Sequence, residues 1–116
     1  MTEVSVTVYL NEGRNRFWKY EPGDQLDQVL AIEMDLPVDR NVLTLLEILF
    51  EQLNVDEPRA EWAKEYRRRR NRSLSVGDVV VLGETAWACQ SVGWVQVRLP
   101  ARLGVLDVEL DAPDGQ

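Results

Sequence analysis

Val4, Val6, Val8 and Leu10 alternate with Glu3, Ser5, Thr7 and Tyr9. A period of two, built largely from β-branched residues, predicts a strand over 3–10 with one face buried. Asn11-Glu12-Gly13 has turn chemistry, and Arg16–Glu21 (RFWKYE) reads as a returning strand that Pro22-Gly23 ends. Residues 24–36 fit two templates. Leu26, Leu30 and Met34 share a helix face, whereas Leu30, Ile32, Met34 and Leu36 alternate with Ala31, Glu33 and Asp35. The alternation is unbroken until Pro37, which favours a strand over about 28–35.

The period then changes. Val42, Leu45, Leu46, Leu49 and Leu53 recur at three- and four-residue spacing, with Phe50 beside them, and predict a helix over 41–53. Thr44 and Glu47 have capping-box spacing, and Asp39 or Asn41 is the alternative cap. Leu43 and Ile48 widen the apolar face, so this helix is expected to be covered on more than one side. Asp56-Glu57-Pro58 separates it from a second helix over about 59–69. There Ala60, Ala63, Tyr66 and Trp62 pack inward, and Glu65–Arg69 forms an i,i+4 pair. A polar connection, Asn71–Asp78, is anchored by Leu74 and Val76. Val79–Leu82, Thr85–Gln90 and Trp94–Val97 then read as a meander of short strands punctuated by Gly83 and Gly93. Pro100–Leu110 is expected to add an edge strand or a docked arm, and 112–116 a disordered tail. The whole reads as a single α+β domain over 1–111, a mainly antiparallel sheet with two central helices packed on one side. Leu45, Leu46, Leu49, Leu53, Val79, Val81 and Trp87 are expected to share its core.

Composition narrows the chemistry. With 116 residues and 45% hydrophobic content the chain can bury one real core. No apolar run reaches the ~18–20 residues of a membrane span, and the N-terminus lacks the pattern of a secretion signal, so a cytoplasmic protein is expected. Histidine is absent, and with it the commonest general base and metal ligand. The single cysteine, Cys89, rules out an intrachain disulfide and a cysteine-based zinc cluster. Within Trp87-Ala88-Cys89 it reads as a small buried apolar residue. There is no G-x-G-x-x-G and no P-loop. Asp107, Glu109, Asp111 and Asp114 have the types to hold a cation weakly, but alternating surface acids explain them better. The expectation is therefore no enzyme, no cofactor and no metal.

Charge is distributed unevenly. Residues 59–72 carry seven Lys/Arg against Glu61 and Glu65, a local +5, which leaves -12 on the rest of a chain of net -7. The preferred reading is a solvated helix end whose arginines complement the helix dipole. The alternative is a basic patch of Arg67, Arg68, Arg69, Arg70 and Arg72 that grips nucleic-acid phosphates, with Trp62, Tyr66 and Trp94 stacking on bases. Successive helical residues point about 100° apart, so at most two of the run share a face, with Arg72 as a third. Arg68, Arg70 and Arg72 are expected to be exposed and to matter little for stability. The acidic remainder suggests a third reading, an imitation of DNA that occupies a defence or DNA-processing enzyme. Four consecutive arginines suit that poorly.

Three segments carry a resemblance. Leu46–Phe50 running to Leu53-Asn54, then Arg72-Ser73-Leu74-Ser75-Val76-Gly77-Asp78-Val79-Val80-Val81, then the strand ending Val92-Gly93-Trp94 together resemble the YodL-like domain. That family shows a helix ending in an apolar–Asn pair, a Ser-Leu-Ser-Val-x-Asp signature and a hairpin closing on Gly plus an aromatic. The likeness spans roughly 44–97. Gly77 stands where a second Ser is usual, and a longer arginine-rich helix fills the linker. The stretches YRRRRNRSLSVGDVV and WACQSVGW also look like small actinobacterial and phage proteins. The resemblance implies a non-catalytic accessory protein of a phage or mobile element that binds a macromolecule, a protein first. Read without it, Ser73, Ser75 and Asp78 bond the backbone of a structural turn that launches the strand at Val79, and Gly77 supplies a φ that side chains forbid. A binding site made of Ser73, Ser75, Asp78 and Trp94 is the alternative.

Overall fold

The computed structural model describes residues 3–12, 20–21 and 24–98. In chain order these form β1 (Glu3–Asn11), β2 (Leu26–Asp35), α1 (Val42–Asn54), α2 (Glu61–Arg68), β3 (Val79–Leu82), β4 (Thr85–Cys89) and β5 (Trp94–Val97). The strands make one antiparallel sheet in the order β2-β1-β3-β4-β5. The two helices fill the connection that carries the chain from edge strand β2 back to β3 beside β1. The fold is α+β, as the alternating and helical periods predict.

Register decides which side chains meet the helices. Val6 lies opposite Ile32 and Leu82, and Val8 opposite Leu30 and Val80. That face packs on Leu45, Leu46, Leu49 and Leu53 of α1 and on Ala63 and Tyr66 of α2, all at most 1% exposed. The opposite face holds a second cluster of Tyr9, Tyr20, Val79, Val81, Ala86 and Ala88. The core differs from the expected one at β3. Val79 and Val81 face away from the helices, and Val80 and Leu82 take the places expected of them, while half-buried Trp87 does pack on the helix side. Val-Val-Val-Leu is apolar at every position, so its own pattern cannot say which parity faces the helices; pairing with β1 does.

The strand expected over about 28–35 forms, with β2 starting two residues earlier at Leu26 and a register shift at Val8/Tyr9 that leaves Val29 as an extra residue. It is β2 that runs back along β1. Residues 16–19 of the RFWKYE reading lie outside the described residues, and Tyr20 and Glu21 are not in a strand. The proposed arm over 100–110, the tail over 112–116 and the acids at 107, 109, 111 and 114 also lie outside them.

Asn41 caps α1, its side-chain oxygen accepting from the Leu43 N–H at 2.9 Å. Asp39 supports the cap by accepting from the Asn41 N–H and the Thr44 hydroxyl, both at 2.9 Å. These bonds hold its carboxyl below the usual range. Thr44 is therefore inside the helix and bonded to Asp39 rather than serving as the cap. The expectation that α1 is covered on several sides fails: Leu43 is 45% and Ile48 38% exposed. With both helices on one face of the sheet, α1 buries a single stripe. Gln52, buried on α1, accepts from the Arg59 and Ala60 N–H groups at 2.9 and 3.0 Å, so α2 begins at Glu61. α2 ends at Arg68, and two residues on Arg70 takes the left-handed conformation at φ 65°. No helix among the described residues is long and apolar enough to cross a membrane.

Candidate binding surface

The Ser-Leu-Ser-Val-Gly-Asp segment folds around one carboxylate. Asp78, with no exposed surface, accepts from the N–H groups of Asn11 (2.7 Å) and Ser75 (2.8 Å). The Arg72 guanidinium spans both its oxygens, Nη1 to Oδ2 at 2.8 Å and Nη2 to Oδ1 at 2.9 Å. Arg72 also donates to the carbonyls of Asn11 and Ser73, each at 3.0 Å, and to Ser75 Oγ at 3.2 Å. This fork-to-carboxylate geometry is particular to arginine. Bonding to Asp78 makes Arg72 still harder to deprotonate, against the opposing effect of burial. The Tyr66 hydroxyl donates to the Arg72 carbonyl at 2.5 Å, and burial, aided by the Asp78 charge, pushes its ionisation well above the usual range.

Neighbouring bonds extend the cluster. Gly77, at φ 96°, donates to the Cys89 carbonyl (2.9 Å), and the Cys89 N–H returns to the Asp78 carbonyl (2.8 Å). Asn11 Nδ2 donates to the Gly77 carbonyl (3.2 Å) and to Asp24 Oδ2 (2.9 Å). Asn54, the last residue of α1, accepts from the Leu74 N–H (2.8 Å) and donates to its carbonyl (3.1 Å). Ser75 and Asp78 thus serve the turn, while Ser73 stays exposed. Sequence reasoning missed Asn11, and it had Asn54 only as the second member of the apolar–Asn pair, without its bonds to Leu74. Asn54 left a trace as a lone amide closing an apolar helix; Asn11 looked like an ordinary turn residue.

The arginine run is divided by the fold. Half-buried Arg67 donates from Nη2 to the Val55 carbonyl. Arg68 and Arg69 share Glu65, at 3.0 and 2.9 Å, and together hold its carboxyl below the usual range, Arg69 contributing most. Arg70 is exposed. Arg72 is not the free surface charge expected; its side chain is 24% exposed and locked onto Asp78. Only Arg68, Arg69 and Arg70 of the five candidates are fully at the surface.

Trp94 does not join them. It sits on β5, the far edge strand from β2, edge-to-face with Phe50 at 6.4 Å and 87°. A cleft of about 140 Å³ lies there among Glu47, Phe50, Cys89, Gln90 and Trp94. Cys89 is 3% exposed, and burial pushes its thiol up to about 11. A larger cleft of about 190 Å³ opens at the other edge, between Val29–Ile32 of β2 and Trp62, Glu65 and Tyr66 of α2 with Arg69 just beyond its end. Its signal in the sequence is the i, i+3, i+4, i+7 spacing of Trp62, Glu65, Tyr66 and Arg69, which identifies one helix stripe running to the C-cap. No group of three or more metal-ligating side chains occurs among the described residues.

No family model, curated protein or solved structure matches the chain.

Proposed function

We propose that the protein is a non-catalytic accessory module that binds a protein partner, as the YodL-like resemblance implies. The observation that carries this reading is the cleft between β2 and α2. It joins an apolar strand segment to half-buried Trp62 and a Glu65–Arg69 rim, with buried Tyr66 behind them, a composition suited to protein contact. The polar groups of the signature support it indirectly, because Ser75, Asp78 and Arg72 are occupied in holding the fold and the contact surface must lie elsewhere. A nucleic-acid contact is the second reading, favoured by the exposure of Arg68, Arg69 and Arg70.

Affinity capture from the native host, run with and without nuclease and read by mass spectrometry, separates the two. A specific protein retained after nuclease treatment supports the first. Retention that vanishes with nuclease supports the second and removes the first.

A further inference from the structure

We infer that the outer edge of β2 accepts an extended segment of the partner protein as a sixth strand, with apolar and acidic residues facing α2. This rests on the protein-binding reading above and gives it a site and a chemistry. β2 is ten residues long and pairs on one side only, with β1; among the described residues no strand pairs with its other edge. An edge strand keeps a row of backbone donors and acceptors unused by its own sheet. Charges commonly guard such edges. On β2 the acids Asp27, Glu33 and Asp35 lie towards the two ends, and Val29-Leu30-Ala31-Ile32 in the middle carries none.

That uncharged middle is where the cleft opens, with α2 as its second wall. A groove between a free strand edge and a helix is the arrangement in which added peptide strands gain main-chain bonds from the edge and side-chain selectivity from the helix. The pleat sorts the acids after the cleft, while Asp27, opposite Leu10 of the helix-side core, lies on the helix side before the cleft begins at Val29. Leu30 and Ile32 pack on the helix side, while Glu33, opposite Ser5 and bonded to its hydroxyl at 2.9 Å, points to the other face. Asp35 shares that parity. On the groove side Arg69 lines the cleft beside Glu65, and Arg68 shares that one carboxylate, so the rim there sets two cations against one acid. An incoming strand fits with apolar groups over half-buried Trp62, acids towards Arg69, and neutral or basic residues on the far face beside Glu33 and Asp35. A second β2 fits less well, since it brings its own acids to that far face.

The test is selection of a random peptide display library on the full-length protein, followed by synthesis of the enriched peptides. Enrichment of alternating sequences, apolar and acidic on one parity, is expected. Their binding should perturb the backbone amides of 29–32 and 62–69 in NMR spectra. Arg68→Gln with Arg69→Gln should weaken it about tenfold or more at nearly unchanged melting temperature. N-methylation of alternate peptide amides, which removes strand donors and leaves side chains, should abolish binding in one of the two registers. No enrichment, perturbation centred on Phe50 and Trp94, or equal affinity after either N-methylation would overturn the sixth strand. Self-association in sedimentation that the peptides do not displace would overturn it too. If lysate capture still retains a nuclease-resistant protein, the broader reading survives that failure; if capture is lost with nuclease, both fall.

Discussion

A carboxylate without exposed surface is tolerated only when its lone pairs are answered. Asp78 meets that condition with two backbone N–H groups and both terminal nitrogens of Arg72. Removing the cation leaves the charge buried without its counterion, so Arg72→Gln should cost about 3–5 kcal/mol in urea unfolding. Arg72→Lys should recover little, because one ammonium cannot span both oxygens and two carbonyls. Exposed Ser73→Ala should stay within about 0.5 kcal/mol. Cys89 gives a pH test. Its thiol has an ordinary value of 9.0 and is pushed up to about 11 by burial. Below the lower value both folded and unfolded chains keep the proton, and this contribution to stability is complete. Between the two values only the unfolded chain releases it, so stability falls as pH rises. Wild type should lose more stability than Cys89→Ala between pH 8 and pH 10, and the folded thiol should react slowly with a disulfide reagent at pH 8.

Elements were legible where hydrophobic period was a local matter. β1 and β2 showed their alternation because one face of each is apolar and the other polar, and α1 showed its stripe. The parity of β3 was hidden because all four of its residues are apolar. The polar cluster was hidden for a different reason: Asn11 and Arg72 stand 61 residues apart, and no window spans that separation. Charge counting also assigned Arg72 to the surface, since a guanidinium looks the same in sequence whether or not a carboxylate waits for it. The sequence offers Thr44, Asp39 and Asn41 at the start of α1, and the structure selects Asn41 as cap and Asp39 as brace. Asn41→Ala should therefore cost about 1 kcal/mol by chemical denaturation. Asp39→Ala should cost less, because it removes support for the cap and leaves the Asn41–Leu43 bond itself in place.

At the scale of the molecule, the local +5 of the sequence becomes a much weaker cationic surface. Arg67 is tied to Val55, Arg72 to Asp78, Lys64 to Glu61, and Arg68 with Arg69 to Glu65. The chain as a whole is at -7, which opposes approach to any polyanion. Arg68, Arg69 and Arg70 are the members of the run left to meet phosphates, and each contact to duplex DNA contributes about -0.9 to the dependence of log affinity on log salt. Any binding to DNA or RNA should thus be confined to low salt, with a slope no steeper than about -3. Replacing Arg68, Arg69 and Arg70 together with Gln should remove it at nearly unchanged melting temperature, since exposed ion pairs contribute little to stability. Arg72 cannot be included in that variant, because its loss would unfold the turn and mimic a loss of binding. Fluorescence anisotropy over a salt series decides the matter. A slope well beyond -3 would require cations that the fold keeps inside, and would move the nucleic-acid reading ahead of the protein one.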